Sequence, residues 1–211
     1  KTMMGIEYAL RRTGPMTMAA SLGAGFLKTN PDLETPDIQF HIQPFSANNA
    51  VEGTHPFSAF TASVLQLRPE SKGCLKLKSA ESMVYPAIYP NYLATTKDQT
   101  TIVKGIQIAR KIASFDPLKS HITEEYAPGH DIAFDDEAGT LEWARNTSVT
   151  IYHPTGTCKM GNDPMSVVDD RLQVHGIKGL RVADASIMPT ITSGNTNAPS
   201  IMIGEKASDM I

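Results

Sequence analysis

Residues 148–161 read SVTIYHPTGTCKMG, and this stretch decides how the C-terminal third of the chain is to be folded. The run SVTIYH, rich in β-branched and aromatic residues, predicts a strand. Pro154 ends it, because proline has no N–H for a ladder bond, and Gly156 and Gly161 permit a tight loop afterwards. His153 then falls at a strand terminus, held by rigid backbone and facing whatever lies beyond the sheet edge. Imidazole, with a reference pKa of about 6.5, is the side chain best suited to take up a proton near neutrality. A histidine satisfied by a core carbonyl is the bland alternative for this stretch taken alone.

Two further stretches lie downstream. LRVADASIMPT predicts a strand over Leu180–Ala183 that runs into Asp184, Ala185 and other small residues, a strand end where backbone can approach a ligand closely. Asp184 is equally suited to cap a turn or helix. SGNTNAPSIMIGEKASDMI then sets Gly194, Asn195, Thr196 and Asn197 ahead of a helix beginning near Pro199, with proline tolerated in the first turn. Free N–H groups and the positive end of a helix dipole make such a point an anion site. Asn197 is also a candidate cap.

Upstream, KTMMGIEYALRR predicts a short helix over Lys1–Arg12 that stops before TGP. In PDIQFHIQP, Ile38, Phe40 and Ile42 alternate with Gln39, His41 and Gln43, the period of a half-buried strand. FSAFTASVLQLRP and GCLKLKS predict two more strands joined by a turn at PESKG, in an antiparallel or mixed sheet. A helix capped by Asp98 runs to about Phe115, with Ile102, Ile106, Ala109 and Ala113 as its buried stripe and Val103 and Ile112 widening it. DDEAGTLEWARN supplies an acidic first turn for another helix.

The chain has 211 residues, 41% hydrophobic and 19% charged, with a formal net charge of -3, which describes a globular protein with no basic field for nucleic acid. No apolar run approaches the roughly 20 residues of a membrane-spanning helix. Cys74 and Cys158 are too few for a disulfide framework, and the six histidines show no metal-ligand spacing, so no metal site is expected. A thiol nucleophile at Cys158 with His153 as base lacks an orienting third group, and a buried structural cysteine is the simpler reading. GAGFLK at Gly23–Lys28 has the outline of a dinucleotide fingerprint, but lysine holds its sixth position and no predicted strand precedes it, so it is expected to be a loop. Starting at Lys1 with no leader pattern, the chain is expected to be a processed product or a fragment.

YHPTGTCKMG, GLRVADASIMPT and SGNTNAPSIMIGEKASDMI, in that order and at these separations, resemble the C-terminal half of the glucose-methanol-choline (GMC) family of FAD-dependent oxidoreductases, in particular its insect glucose dehydrogenase-like branch. LRPESKGCLKLKS, PNYL and the helix after Asp98 extend the likeness through most of the chain. The resemblance implies an α/β fold. Residues 1–148 would form most of an α+β substrate-binding cap with a mixed or antiparallel sheet, and residues 149–211 would carry the C-terminal strands and helix that complete an FAD-binding domain. It implies oxidation of an alcohol or sugar hydroxyl by hydride transfer to FAD, with oxygen or a quinone as the electron acceptor. His153 would be the catalytic base and Asn197 would hold the substrate oxygen, while Asp184, Ala185, Asn195, Thr196 and Asn197 would contact FAD. The insect-like motifs suggest secretion. The family's GxGxxG βαβ unit is absent from these residues, so the isolated chain is expected to bind FAD weakly or not at all. The competing expectation is a truncated relative that acts as a binding or interaction module without flavin.

Overall fold

Glycine-rich residues 23–27, expected to be a loop, form the first strand of a sheet. The computed structural model describes residues 2–19, 21–47 and 53–211, and divides into two compact units. One comprises Lys1–Gln66 and Lys104–Glu124, the other Leu67–Val103 and Glu125–Ile211.

The first unit begins with helix α1 (Thr2–Arg11), close to its predicted span; Lys1 lies outside the described residues. Strands β1 (Gly23–Leu27), β2 (Ile38–Gln43) and β3 (Thr61–Gln66) follow, antiparallel and in the order β1-β2-β3. β1 has little strand propensity of its own. Its conformation comes from pairing along its whole length with β2, from Gly23 opposite Ile42 to Leu27 opposite Ile38. The loop between them is closed by Asp37, whose carboxylate accepts from the Thr29 N–H at 2.8 Å and from the Thr29 hydroxyl. The alternation read in β2 holds for Ile38 and Phe40 but not throughout: Gln39 is buried with them and Ile42 is partly exposed. Burial is concentrated in the first half of β2, Ile38–Phe40, and falls off toward Gln43.

Helix α2 (Thr96–Ala113) buries Ile102, Val103 and Ile106; Ala109 and Ala113 are half-buried and Ile112 is exposed, so the apolar stripe is narrower than predicted. Gly105 sits in the middle of it, where a Cβ would lie 2.5 Å from Val64 Cγ1 and 3.6 Å from Ile38 Cδ1. The missing side chain is what lets this helix backbone rest directly on β2 and β3.

In the second unit, β4 (Cys74–Lys76) pairs antiparallel with β5 (Ala87–Tyr89) as a separate two-stranded sheet. β3 and β4 are therefore not partners, contrary to the single sheet expected from the turn at 69–73. Helix α3 (Glu137–Thr147) starts as predicted, its N-cap Asp136 accepting from the Gly139 N–H at 2.9 Å. Helix α4 (Asn197–Ser208) begins two residues before Pro199. Ile203 and Ala207 of α4 join Val168, Leu172, Ile187 and Met188 in a buried apolar core flanked by Met160, Val167, Val174, Val182, Ala185 and Met210. With four helices and two small antiparallel sheets among the described residues, the α/β class is as expected.

Alanine normally improves a helix interior over glycine by about 0.8–1 kcal/mol. At Gly105 the steric contact reverses that sign: Gly105→Ala should destabilise the protein by about 1–3 kcal/mol, read as a lowered midpoint in denaturant unfolding.

Candidate functional site

No strand forms at SVTIYH. Tyr152 has φ +63°, outside the extended region, and its N–H donates to Thr150 Oγ1 at 3.0 Å, a local turn that replaces ladder pairing. A bulky residue in the left-handed region is strained, and the strain turns the chain just ahead of His153. Leu180–Ala183 is likewise no strand; Arg181 makes only a single antiparallel bridge to Gln173.

What replaces the predicted strand ends is a lacework of backbone bonds. The Cys158 N–H donates to the Ser186 carbonyl at 3.0 Å, and the Met160 N–H donates to the Ile187 carbonyl at 2.7 Å. These two bonds fasten the histidine-bearing loop to the segment that begins at Asp184. Gly156 supports the loop in a left-handed conformation, φ +86°, where a Cβ would crowd the Met188 carbonyl at 3.3 Å. Ile187 and Met188 continue into the apolar core, so the loop is anchored to the best-packed part of this unit.

His153 is held at both ring nitrogens by residues just ahead of α4. Its Nδ1 lies 2.8 Å from Thr196 Oγ1, and its Nε2 lies 2.8 Å from Asn195 Nδ2. The Thr196 N–H also approaches Nδ1, at 3.5 Å. Thr196 is 6% exposed, whereas Asn195 is exposed, so the two nitrogens differ in access. Thr196 is the N-cap of α4 and Asn197 its first residue, exposed, with helical N–H groups at Asn197 and Ala198 that have no side-chain cap.

Asp184 acts as a cap, its carboxylate accepting from the Ser186 N–H at 2.8 Å at the head of a 3-10 turn over Ala185–Ile187. The carboxylate thus faces its own backbone, and the N–H groups of Asp184 and Ala185 donate to no acceptor among the described residues. Of the residues singled out in the sequence, the structure brings His153, Asn195 and Thr196 into contact. Asp184 and Ala185 make no hydrogen bond to these three among the described residues; the Cys158 and Met160 N–H groups tie the His153 loop to Ser186 and Ile187, which follow them.

The sequence reading missed what holds this assembly in place. Asp98 is not the cap of α2. Thr95 is: its Oγ1 accepts from the Asp98 N–H at 3.3 Å, and its carbonyl accepts from the Gln99 N–H. Thr-x-x-acid at 95–98 is a capping-box pattern that would have revealed it. Asp98, 2% exposed, instead receives the N–H of Glu70 at 2.9 Å and of Ser71 at 2.8 Å. The Ser71 hydroxyl in turn accepts from the Ala94 and Thr95 N–H groups. Two residues before Glu70, the Arg68 Nε–H donates to Ser193 Oγ at 3.0 Å, so the pinned loop reaches the segment that carries Asn195 and Thr196.

A histidine on a glycine-punctuated loop is thus laced to a 3-10 turn and seated against the entrance of a helix. The chain belongs to the GMC oxidoreductase family, whose model matches residues 69–204. It is 41% identical over 205 residues to the alcohol dehydrogenase (acceptor) of Pseudomonas putida, covering 97% of this chain and 37% of that protein. It is also 41% identical over 212 residues to the oxygen-dependent choline dehydrogenase of Cronobacter sakazakii, covering 99% and 37%. The fold matches formate oxidase from Aspergillus oryzae RIB40, in a structure concerned with modification of its FAD, with a TM-score of 0.87 at 24% identity over 99% of this chain and 41% of that one. The chain thus spans 37% of the length of these two curated relatives. The expected family holds, but the relatives are bacterial alcohol and choline dehydrogenases rather than members of the insect glucose dehydrogenase-like branch. The matched residues include both the His153 loop and the start of α4, and the motifs there do not resolve the family's branches.

Burial pushes the Asp98 carboxyl up, but hydrogen bonds from Ser71, Glu70 and Thr95 outweigh it and hold the group below the ordinary carboxylate value. A depressed folded-state pKa contributes stability above the unfolded value of about 4 and loses it as pH falls through the folded one. Asp98→Ala should therefore lower stability by at least about 1–3 kcal/mol at neutral pH, since loop amides lose their buried acceptor. Acid titration of the variant, followed by circular dichroism, should show a shallower loss of stability below about pH 4 than the parent.

Proposed function

We propose that this chain is the C-terminal part of an FAD-dependent enzyme that oxidises an alcohol, with His153 as the proton acceptor. The observation that carries the reading is the placement of His153 against Asn195 and Thr196 at the entrance of α4. Relatives named as alcohol and choline dehydrogenases support an alcohol of choline type as substrate, with a sugar hydroxyl as the alternative. Residues 1–148 would serve the substrate side and residues 149–211 would complete the cofactor-binding part.

The donor set suits the cofactor. The uncapped N–H groups of Asn197 and Ala198, the N–H groups of Asp184 and Ala185, which meet no acceptor among the described residues, and the exposed Asn197 side chain offer hydrogen-bond donors without a carboxylate facing them, while the Asn195 and Thr196 side chains are turned to His153. Phosphate oxygens and a polar ring edge are what such donors bind. Bound FAD would supply the hydride acceptor. Asp184 and Ala185 would hold it through their backbone, and the residues from Asn195 to Asn197 would lie along the flavin ring.

His153 would take the hydroxyl proton at Nε2, the nitrogen on the exposed side, after the Asn195 amide turns aside or is displaced by the substrate. Asn197, an amide with no basic lone pair, would hold the substrate oxygen. The positive end of α4 would stabilise negative charge gathering nearby, in a setting that needs no reorganisation at the moment of reaction. A thiol mechanism at Cys158 is disfavoured, because among the described residues the Cys158 thiol makes no hydrogen bond to His153, whose ring nitrogens face Thr196 and Asn195.

In the intact FAD-loaded protein, an alcohol substrate should bleach the flavin absorbance. His153→Ala should slow this reduction by about 10²–10⁴-fold while FAD remains bound, and Cys158→Ser should leave it nearly unchanged. A protein containing this chain that binds no flavin, or a His153→Ala variant reduced at the parent rate, would defeat the proposal.

A further inference from the structure

Thr196 makes an unusual choice for its position. Threonine is a preferred N-cap because its hydroxyl can accept a helical N–H, and Thr196 is the N-cap of α4, yet its side chain makes no capping bond. The hydroxyl is turned to His153 Nδ1 instead, 2.8 Å away, from a site that is 6% exposed. We propose that Thr196 is a positioning residue that acts through His153, its hydroxyl holding Nδ1 so that Nε2 is the nitrogen presented to the substrate hydroxyl. The proposal rests on the reading of His153 as proton acceptor.

Two groups of Thr196 approach Nδ1, and they differ in what they can do. The backbone N–H, at 3.5 Å, can only donate, and at that separation it is a weak partner. The hydroxyl, at 2.8 Å, can donate to a bare Nδ1 or accept from Nδ1–H. The shorter contact governs. Once Nε2 has taken a proton both ring nitrogens carry hydrogen, and the hydroxyl oxygen is then the group of Thr196 able to receive Nδ1–H. On the other side, Asn195 meets Nε2 at 2.8 Å with an amide that offers either nitrogen or oxygen after a half-turn. The imidazole is thus paired before and after proton uptake without the ring moving, and Thr196 sets which edge of it stays buried.

The test uses the intact FAD-loaded protein, a reducing alcohol such as choline or a primary alkanol, and the variants Thr196→Val, Thr196→Ser and His153→Ala. Valine keeps the shape and removes the hydroxyl, leaving a buried N–H without an acceptor. The expected result is a fall in kcat of about 10- to 100-fold with KM changed far less, and recovery to within a few-fold in Thr196→Ser. As a readout independent of turnover, long-range ¹⁵N–¹H spectra of histidine-labelled protein should show an altered protonation pattern at His153 in Thr196→Val and a parental one in Thr196→Ser. Parental kcat together with a parental ¹⁵N pattern in Thr196→Val overturns the proposal, as does a serine variant impaired as badly as the valine one, since that would indicate packing alone. If His153→Ala abolishes turnover while Thr196→Val is parental, the positioning role fails and the proton-acceptor reading stands. If His153→Ala turns over normally, both fail.

Discussion

A single buried carboxylate organises the approach to the site. Asp98 gathers two backbone amides of the loop that leads from β3 to β4 and, through Ser71, fastens that loop to the turn before α2. A carboxylate removed from water is costly unless its lone pairs are matched, and the backbone N–H groups of Glu70 and Ser71 meet both carboxylate oxygens here. The nearby ion pair of Lys97 with Glu70, 2.7 Å long, is more than half exposed and adds little beside it. From this fixed loop Arg68 reaches Ser193, and two residues later the chain presents Asn195 and Thr196 to the imidazole. The order of dependence runs from a hydrogen-bonded acid, through a loop, to the seating of an imidazole.

The second support is apolar. Backbone bonds from Cys158 and Met160 tie the histidine loop to Ser186 and Ile187, and Ile187 is embedded with Ile203 of α4 in one core. The loop and the helix whose entrance faces it are thus held by the same packed residues. A large-to-small change at Ile203 would loosen both together, because cavities in such a core relax only in part. This is how a site built largely from irregular backbone keeps a defined geometry without strands beneath it.

Much of this was legible in the sequence where local chemistry decides the outcome. The helix signalled by the acidic first turn of DDEAGTLEWARN, the period of two at Ile38 and Phe40, and the helix around Pro199 are all local. The three motifs that meet at the site were visible as a set through family resemblance. The failures share a cause, since β1 is a strand because β2 pairs with it, and SVTIYH is not one because Tyr152 turns the chain out of the extended region. Neither partner choice nor a left-handed tyrosine is written in propensity. The contact of Thr196 with His153 spans 43 residues and no spacing rule reaches it, so Thr196 was read as a cofactor contact. Asp98 was read as a cap because its other ligands lie 27 and 28 residues upstream.

The neutrality of both partners of His153 has a consequence for how the site responds to its surroundings. A carboxylate holding an imidazolium gains from Coulomb attraction, and counter-ions at physiological ionic strength weaken such attraction over a screening length of about 8 Å where the pair is exposed. An amide and a hydroxyl hold the ring by short-range, directional bonds with no net charge between them to screen. The seat of this imidazole is therefore largely indifferent to salt, because neither bond that holds the ring depends on a net charge.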